Sequence, residues 1–157
     1  MILHAAPAAL LALVLCLPLP ATAAQAVMRE EPRAFLGVPF GPVYEPDSSF
    51  NCETDSEEGV RCVRASDDLH FHGVPIKSLT YLFMEKRLYT VDMEVDGREN
   101  FDRIVAELSR IHGAPRKEKG GAQTLVGKDV DILMYYDGSR KLGEVGYVYK
   151  NIPCTVE

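Results

Sequence analysis

SLTYLFMEKRLYTVDMEVDGRENFDRIVAELSRIHGAP, residues 78–115, is the stretch whose reading decides the fold class. Residues 78–84 and 87–95 read as two strands of period two, joined at Glu85 and Lys86. In the second strand Tyr89, Val91, Met93 and Val95 fall on one face, and Thr90, Asp92 and Glu94 on the other. A sheet with one packed and one wet face carries this pattern. Next, Phe101, Ile104, Val105, Leu108 and Ile111 recur at helical spacing, leaving Arg98, Asp102, Arg103, Glu107 and Arg110 for solvent. The helix starts between Asp96, which forms a capping box with Glu99, and Asn100, an alternative N-cap directly before Phe101. It ends at His112-Gly113, a glycine stop reinforced by Pro115. One helix on one sheet is a complete core. The expectation is therefore an α+β fold: a single, mostly antiparallel, twisted sheet with one packed helix in two layers, following an N-terminal signal peptide.

The leader is read from residues 5–19, an apolar run broken only by Pro7, Cys16 and Pro18, and from the small-residue tail at 20–24. That tail suits signal-peptidase cleavage after Ala23, with Ala24 and Ala26 as neighbouring sites, although the n-region lacks Lys and Arg. The run falls short of the roughly 20 apolar residues a membrane span needs. Val14 and Leu15 before Cys16 do not suit lipid attachment. The expected organisation is a signal peptide over 1–24, a flexible mature N-terminus over 25–33, and one α+β domain over 34–157. A chain of 157 residues with 46% hydrophobic side chains suffices for one core.

The 17 Lys plus Arg and 23 Asp plus Glu all lie beyond residue 24, so the formal charge of −6 belongs to the mature chain. That sign disfavours nucleic acid and anionic membrane as partners. Export places the cysteines in an oxidising compartment, periplasmic or extracellular. Cys52 and Cys62 are the natural pair, closing a polar loop, with Cys154 free or paired between chains; a bond from Cys154 to one of those two is the alternative.

Residues 34–44 are apolar but cut by Gly37, Pro39, Gly41 and Pro42, which favours an edge strand or a pinned extended segment. Residues 45–59 read as an acidic loop and 60–65 as a brief strand. Phe35-Leu36-Gly37-Val38-Pro39-Phe40 echoes Phe71-His72-Gly73-Val74-Pro75-Ile76. The sequences after the two copies do not match, so the echo reads as reuse of one bend rather than duplication. Beyond the helix, residues 123–126, 130–136 and 143–149 are strand candidates, with a turn at Asp137-Gly138.

Chemistry is not written into any spacing. His70 and His72 share a strand parity around Phe71, but no third ligand stands at a zinc spacing. His112 falls in the last helical turn, where it suits the dipole. Asp47, Glu53, Asp55, Glu57, Glu58, Asp67 and Asp68 lack the alternation of a calcium loop. Gly120-Gly121 lacks the phosphate-loop pattern, and the cysteines are not a Cys-x-x-Cys pair. No cofactor, metal or catalytic residue is called for. The candidate site is instead a binding surface on the wet sheet face, carrying Thr90, Asp92 and Glu94, with Tyr135 beside them if the terminal strands continue the sheet.

In general shape the chain resembles many small bacterial envelope proteins: a leader, a Gly-Val-Pro bend, a hairpin, one helix ended by Gly-Ala-Pro and a tyrosine-rich terminal hairpin. This architectural resemblance transfers no residue roles. The sequence supports an exported bacterial envelope protein without an evident catalytic site, a protein-binding or structural module that does not span the membrane after cleavage; an enzyme is the less favoured reading. A small-ligand or metal-binding periplasmic protein is the alternative, recognisable by a deep pocket beneath the helix or near the 47–68 loop, with converging polar groups.

Overall fold

The computed structural model describes residues 27–55 and 59–151; the expected signal peptide over 1–24, together with Glu57, Glu58 and Cys154, lies outside them. In chain order the strands are β1 (Ala34–Phe35), β2 (Val38–Pro39), β3 (Phe50–Asp55), β4 (Gly59–Arg64), β5 (His70–Phe71), β6 (Val74–Pro75), β7 (Ser78–Met84) and β8 (Arg87–Asp96). Helix α1 (Arg98–His112) follows, and then β9 (Arg116–Lys117), β10 (Gln123–Leu125), β11 (Val130–Asp137) and β12 (Leu142–Tyr149). Eight strands form one antiparallel sheet in the order β3-β4-β7-β8-β12-β11-β10-β9, while β1–β2 and β5–β6 are separate small hairpins. The mostly antiparallel α+β architecture is the one expected.

The connection through α1 explains this order. The helix leaves β8 in mid-sheet and delivers the chain to β9 at the far edge. Three antiparallel returns then bring β12 back beside β8, with Val145 opposite Met93 and Tyr147 opposite Val91. Phe101, Ile104 and Leu108 of the helix share one core with Val91, Met93, Val95, Ile132, Met134 and Val145. β12 passes beneath the helix at Gly143, where a side chain would run into the Phe101 ring.

The β7–β8 turn falls at Glu85 and Lys86 as expected, with both residues at positive φ. Strand β8 departs from the expected parity. A bulge opposite Leu82 and Phe83 pairs Leu88, rather than Tyr89, with Phe83. Leu88 is therefore wholly buried and Tyr89 only half-buried, because the extra residue inverts which side chains face the core. Neither expected N-cap is used: Gly97 caps α1 with no side-chain bond, and Asn100 donates from Nδ2 to the Asp96 carbonyl at 3.1 Å. Asp96 is still paired in the sheet, opposite Leu142, and so is not available to cap. At the other end Gly113 closes the helix as expected, its N–H donating to the Ser109 carbonyl.

The acidic loop expected over 45–59 is corrected in its second half, where Phe50–Asp55 is an edge strand. Its polar sequence hides the strand, which exists because β4 pairs with it residue for residue, Cys52 directly opposite Cys62. The expected Cys52–Cys62 disulfide is formed across that pair.

The two echoing segments are the same small object, a hairpin with a two-residue turn rather than a bend before a strand. Phe35 pairs with Val38 and Phe71 with Val74. Both central residues of each turn, Leu36-Gly37 and His72-Gly73, have positive φ, the twist a tight hairpin requires. The Phe35 and Phe71 rings lie parallel with centroids 6.1 Å apart. Arg64 fastens the first hairpin to the sheet: it donates to the Leu36 carbonyl at 3.1 Å and to Asp67 at 2.6 Å. Asp67 also accepts from the Tyr81 hydroxyl at 2.6 Å.

Residues 27–33, expected outside the fold, are tied to it. Val27 bridges Val126, and the Arg29 N–H donates to the His112 carbonyl at 2.8 Å. The Glu31 carboxylate accepts the backbone N–H groups of Lys128, Asp129 and Val130. Three convergent N–H donors make a ready-made carboxylate seat, a contact no local sequence pattern announces.

Candidate functional site

The register places three of the four candidate residues around one depression. Along one row, Thr80 lies opposite Asp92, Asp92 opposite Gly146, and Gly146 opposite Leu133. In the next row Ser78, Glu94, Glu144 and Tyr135 follow one another across the same four strands. Paired residues of an antiparallel sheet project to the same side, so these side chains share the face away from α1. Gly146 contributes no side chain, and the gap above it is a trough of about 430 Å³ walled by Asp92, Glu94 and Glu144 on one side and Leu133 and Tyr135 on the other. Leu133 is 46% and Tyr135 44% exposed, which places two large apolar surfaces side by side in solvent. Thr90 stands one row further along, between Leu82 and Val148. It is only 9% exposed and does not line the trough.

The trough is acidic, with part of its charge already answered. Arg140 lies 2.9 Å from Glu144 and 3.8 Å from Glu94. Lys77 lies 3.6 Å from Glu94, which also accepts from Ser78 Oγ at 3.1 Å. Asp92 has no ion pair or hydrogen bond to another described residue. Desolvation by the surrounding walls pushes its carboxyl above the ordinary value, opposed by Arg61 and reinforced by Glu144. By surface area the same side chain is exposed, so it stays accessible through the mouth of the trough while its inner side is shielded. An exposed apolar pair beside a carboxylate of raised proton affinity can hold a complementary surface.

The other residues weighed from sequence are dispersed. His72 sits in the turn of the second hairpin, so the strand parity shared with His70 does not apply. His70 Nδ1 meets Asp68 at 2.8 Å, whereas His72 Nδ1 faces Glu107 at 3.4 Å. His112 is buried in the last helical turn with Nδ1 on the Glu30 carbonyl, where it anchors the N-terminal segment. Three of the acidic residues weighed over 47–68 have separate partners: Asp47 holds Ser49, Asp67 holds Arg64 and Tyr81, and Asp68 holds His70. Among the described residues no group of three or more His, Cys, Asp or Glu is arranged to hold a metal ion.

A second, larger space lies against the helix, one of the two places where the small-ligand alternative expects a pocket. Between the first hairpin, the C-terminal half of α1 and the 128–130 loop lies a cleft of about 1360 Å³. Phe35, Phe40, Leu108 and Tyr147 line it, with Arg33 and Lys128 also in its wall. The inward parity of Tyr147 was legible from its alternation with Val145 and Tyr149, but the walls of the cleft were not, because it is assembled from four separate segments. Comparison with known families, characterised proteins and solved structures finds no match to this chain.

Proposed function

We propose that this chain is an exported protein of the cell envelope that works as a protein-binding module, meeting its partner on the open face of its sheet. In this reading residues 1–24 are the signal peptide, the mature chain is a two-layer domain of one sheet and one helix, and its compartment is periplasmic or extracellular. The Cys52–Cys62 bond fits such an oxidising compartment.

The observation that carries the reading is the exposed Leu133–Tyr135 pair facing the carboxylates of Asp92, Glu94 and Glu144 across a trough floored by Gly146. Tyrosine supplies contact area at low entropic cost, and carboxylates beside it select the partner's charge and register. The fitting partner is a basic protein surface that presents an apolar side chain next to Lys or Arg. The apolar group would fill the space over Gly146 while the cation meets Asp92.

A photo-crosslinking residue at position 133, used in envelope extract, identifies the partner, which is then purified and titrated. Tyr135→Ala with Asp92→Lys should weaken its binding at least about tenfold, as expected for a hot-spot residue and a reversed charge. Failure to crosslink any partner, or equal affinity for wild type and variant, would refute this assignment.

A further inference from the structure

The trough on the open face of the sheet holds a tyrosine and a carboxylate without the cation that this chain sets beside such a pair elsewhere. Arg64 donates to Asp67 at 2.6 Å, and its guanidinium carbon lies 5.6 Å from the centroid of the Tyr81 ring. Arg98 donates to both Asp102 oxygens, at 2.9 and 3.0 Å, and its guanidinium carbon lies 5.0 Å from the Tyr136 centroid. In each case one guanidinium serves a carboxylate with its N–H edge and an aromatic ring with its face. A planar, delocalised cation can do both at once, whereas a compact ammonium stands against a ring only as a point charge. Tyr135 is next to Tyr136 in β11 and so projects to the opposite face of the sheet, where it is 44% exposed. Among the described residues no cation lies over its ring.

The walls select a cation for that place. Asp92, Glu94 and Glu144 line the trough, and no Arg, Lys or His does. The basic side chains that act on these carboxylates stand outside the lining. Arg140 pairs with Glu144, the residue directly opposite Tyr135, and reaches toward Glu94 without lying over the Tyr135 ring. Lys77 pairs with Glu94, and Arg61 acts on Asp92 through its charge. Asp92 alone of the three has no ion pair with a described residue. Its Oδ1 leans over the floor, 3.3 Å from where a side chain at Gly146 would begin. Leu133, opposite Gly146 and 46% exposed, completes the far wall with an accessible apolar surface.

We infer that the trough receives an arginine of the partner protein, its guanidinium face on the Tyr135 ring, its N–H edge donating to Asp92, and its apolar neighbour against Leu133 over Gly146. This inference rests on the protein-binding reading and sharpens it, because that reading admits lysine as readily as arginine. A chain of formal charge −6 meets a foreign basic surface more favourably than it meets a second copy of itself.

The probe is the dipeptide Leu-Arg, acetylated and amidated at its ends, titrated into the isotope-labelled protein and read by NMR at the Gly146 and Leu133 amides. The same dipeptides with lysine or citrulline in place of arginine are the controls. Leu-Arg should shift both amides saturably. Leu-Lys should bind about threefold more weakly, the scale of one cation–π contact at an exposed site. Leu-citrulline, which keeps the shape without the charge, should give no saturable shift. Asp92→Asn should weaken Leu-Arg at least about fivefold, and Tyr135→Leu, which keeps an apolar side chain, should bring it down to the affinity of Leu-Lys. Thermal unfolding at the wild-type midpoint verifies the fold of each variant, and the comparison of the three dipeptides on the wild-type protein stands without them. No saturable shift with Leu-Arg, equal affinity for Leu-Lys, saturable binding of Leu-citrulline, or a preference for arginine retained in Tyr135→Leu would overturn the assignment. So would Gly146 shifts that grow with the protein's own concentration, the mark of a second copy in the trough. A partner captured at position 133 that still binds after its arginines are replaced by lysine would leave the protein-binding reading in place and remove this inference alone.

Discussion

Gly143 is where the helix and the sheet come closest, and replacing it with alanine tests that packing directly. A Cβ there would lie 2.3 Å from Phe101 Cδ2, 2.8 Å from Cγ and 3.0 Å from Cβ. Carbon atoms pack at about 3.5 Å or more, so the ring would have to retreat by about 1.2 Å. It has little room to do so, being 2% exposed with the Tyr136 ring 5.5 Å away. Overpacking of this kind costs about 1–3 kcal/mol. Removing glycine's freedom from the unfolded chain returns about 0.4–1 kcal/mol, since the backbone at 143 is not in the left-handed region. Gly143→Ala should therefore lower stability by about 1–2 kcal/mol. Phe101→Ala alone should cost about 3–5 kcal/mol through its cavity. In that background the two shortest contacts vanish and the alanine methyl fills part of the void, so Gly143→Ala becomes neutral or slightly stabilising. Urea unfolding of the four proteins, analysed as a double-mutant cycle, should give a coupling of about 1–3 kcal/mol. Additive effects, or a Gly143→Ala midpoint equal to wild type, would mean that the helix does not rest on β12 at this point.

Two further outcomes follow from the N-terminal latch and the disulfide. Burial works to raise the Glu31 carboxyl, but the N–H groups of Val130, Lys128 and Asp129, with Lys150, outweigh it and hold it below the ordinary 4.5. Its contribution is therefore complete above pH 4.5 and lost as pH falls through the lower folded value; the stability gap between wild type and Glu31→Gln should close under acid, and a gap constant from neutral pH downward would contradict the latch. Opening the Cys52–Cys62 bond, whose cysteines are separated by 10 in sequence, should lower stability by about 3 kcal/mol on the loop-entropy account; non-reducing peptide mapping that joins Cys154 to either cysteine within one chain would overturn the pairing.

What the sequence by itself determined is local and periodic. The alternation of Val91, Met93 and Val95, the helical recurrence of Phe101, Ile104 and Leu108, and the glycine stop at Gly113 are each set by a few neighbouring residues. They determine an antiparallel hairpin followed by an amphipathic helix, and the same alternation marks Asp92 and Glu94 as facing away from the core. Tertiary structure decided whatever depends on residues distant in the chain. The parity at Tyr89 was reversed by a bulge that exists only against Leu82 and Phe83. Strand β3 formed in a polar sequence because β4 supplied its hydrogen bonds and a disulfide. Asp96 lost its capping role to a pairing with Leu142, 46 positions further on. Tyr135 joined Glu94 through Glu144 only because α1 carries the chain across the sheet and lets β12 return beside β8. The cleft at Tyr147 depends on still more, since a hairpin, the end of a helix, a strand and a loop must converge to form it. Periodicity in sequence reports which side of an element is apolar; which other elements meet that side is settled by long-range packing, where the driving force is burial and has no local signature.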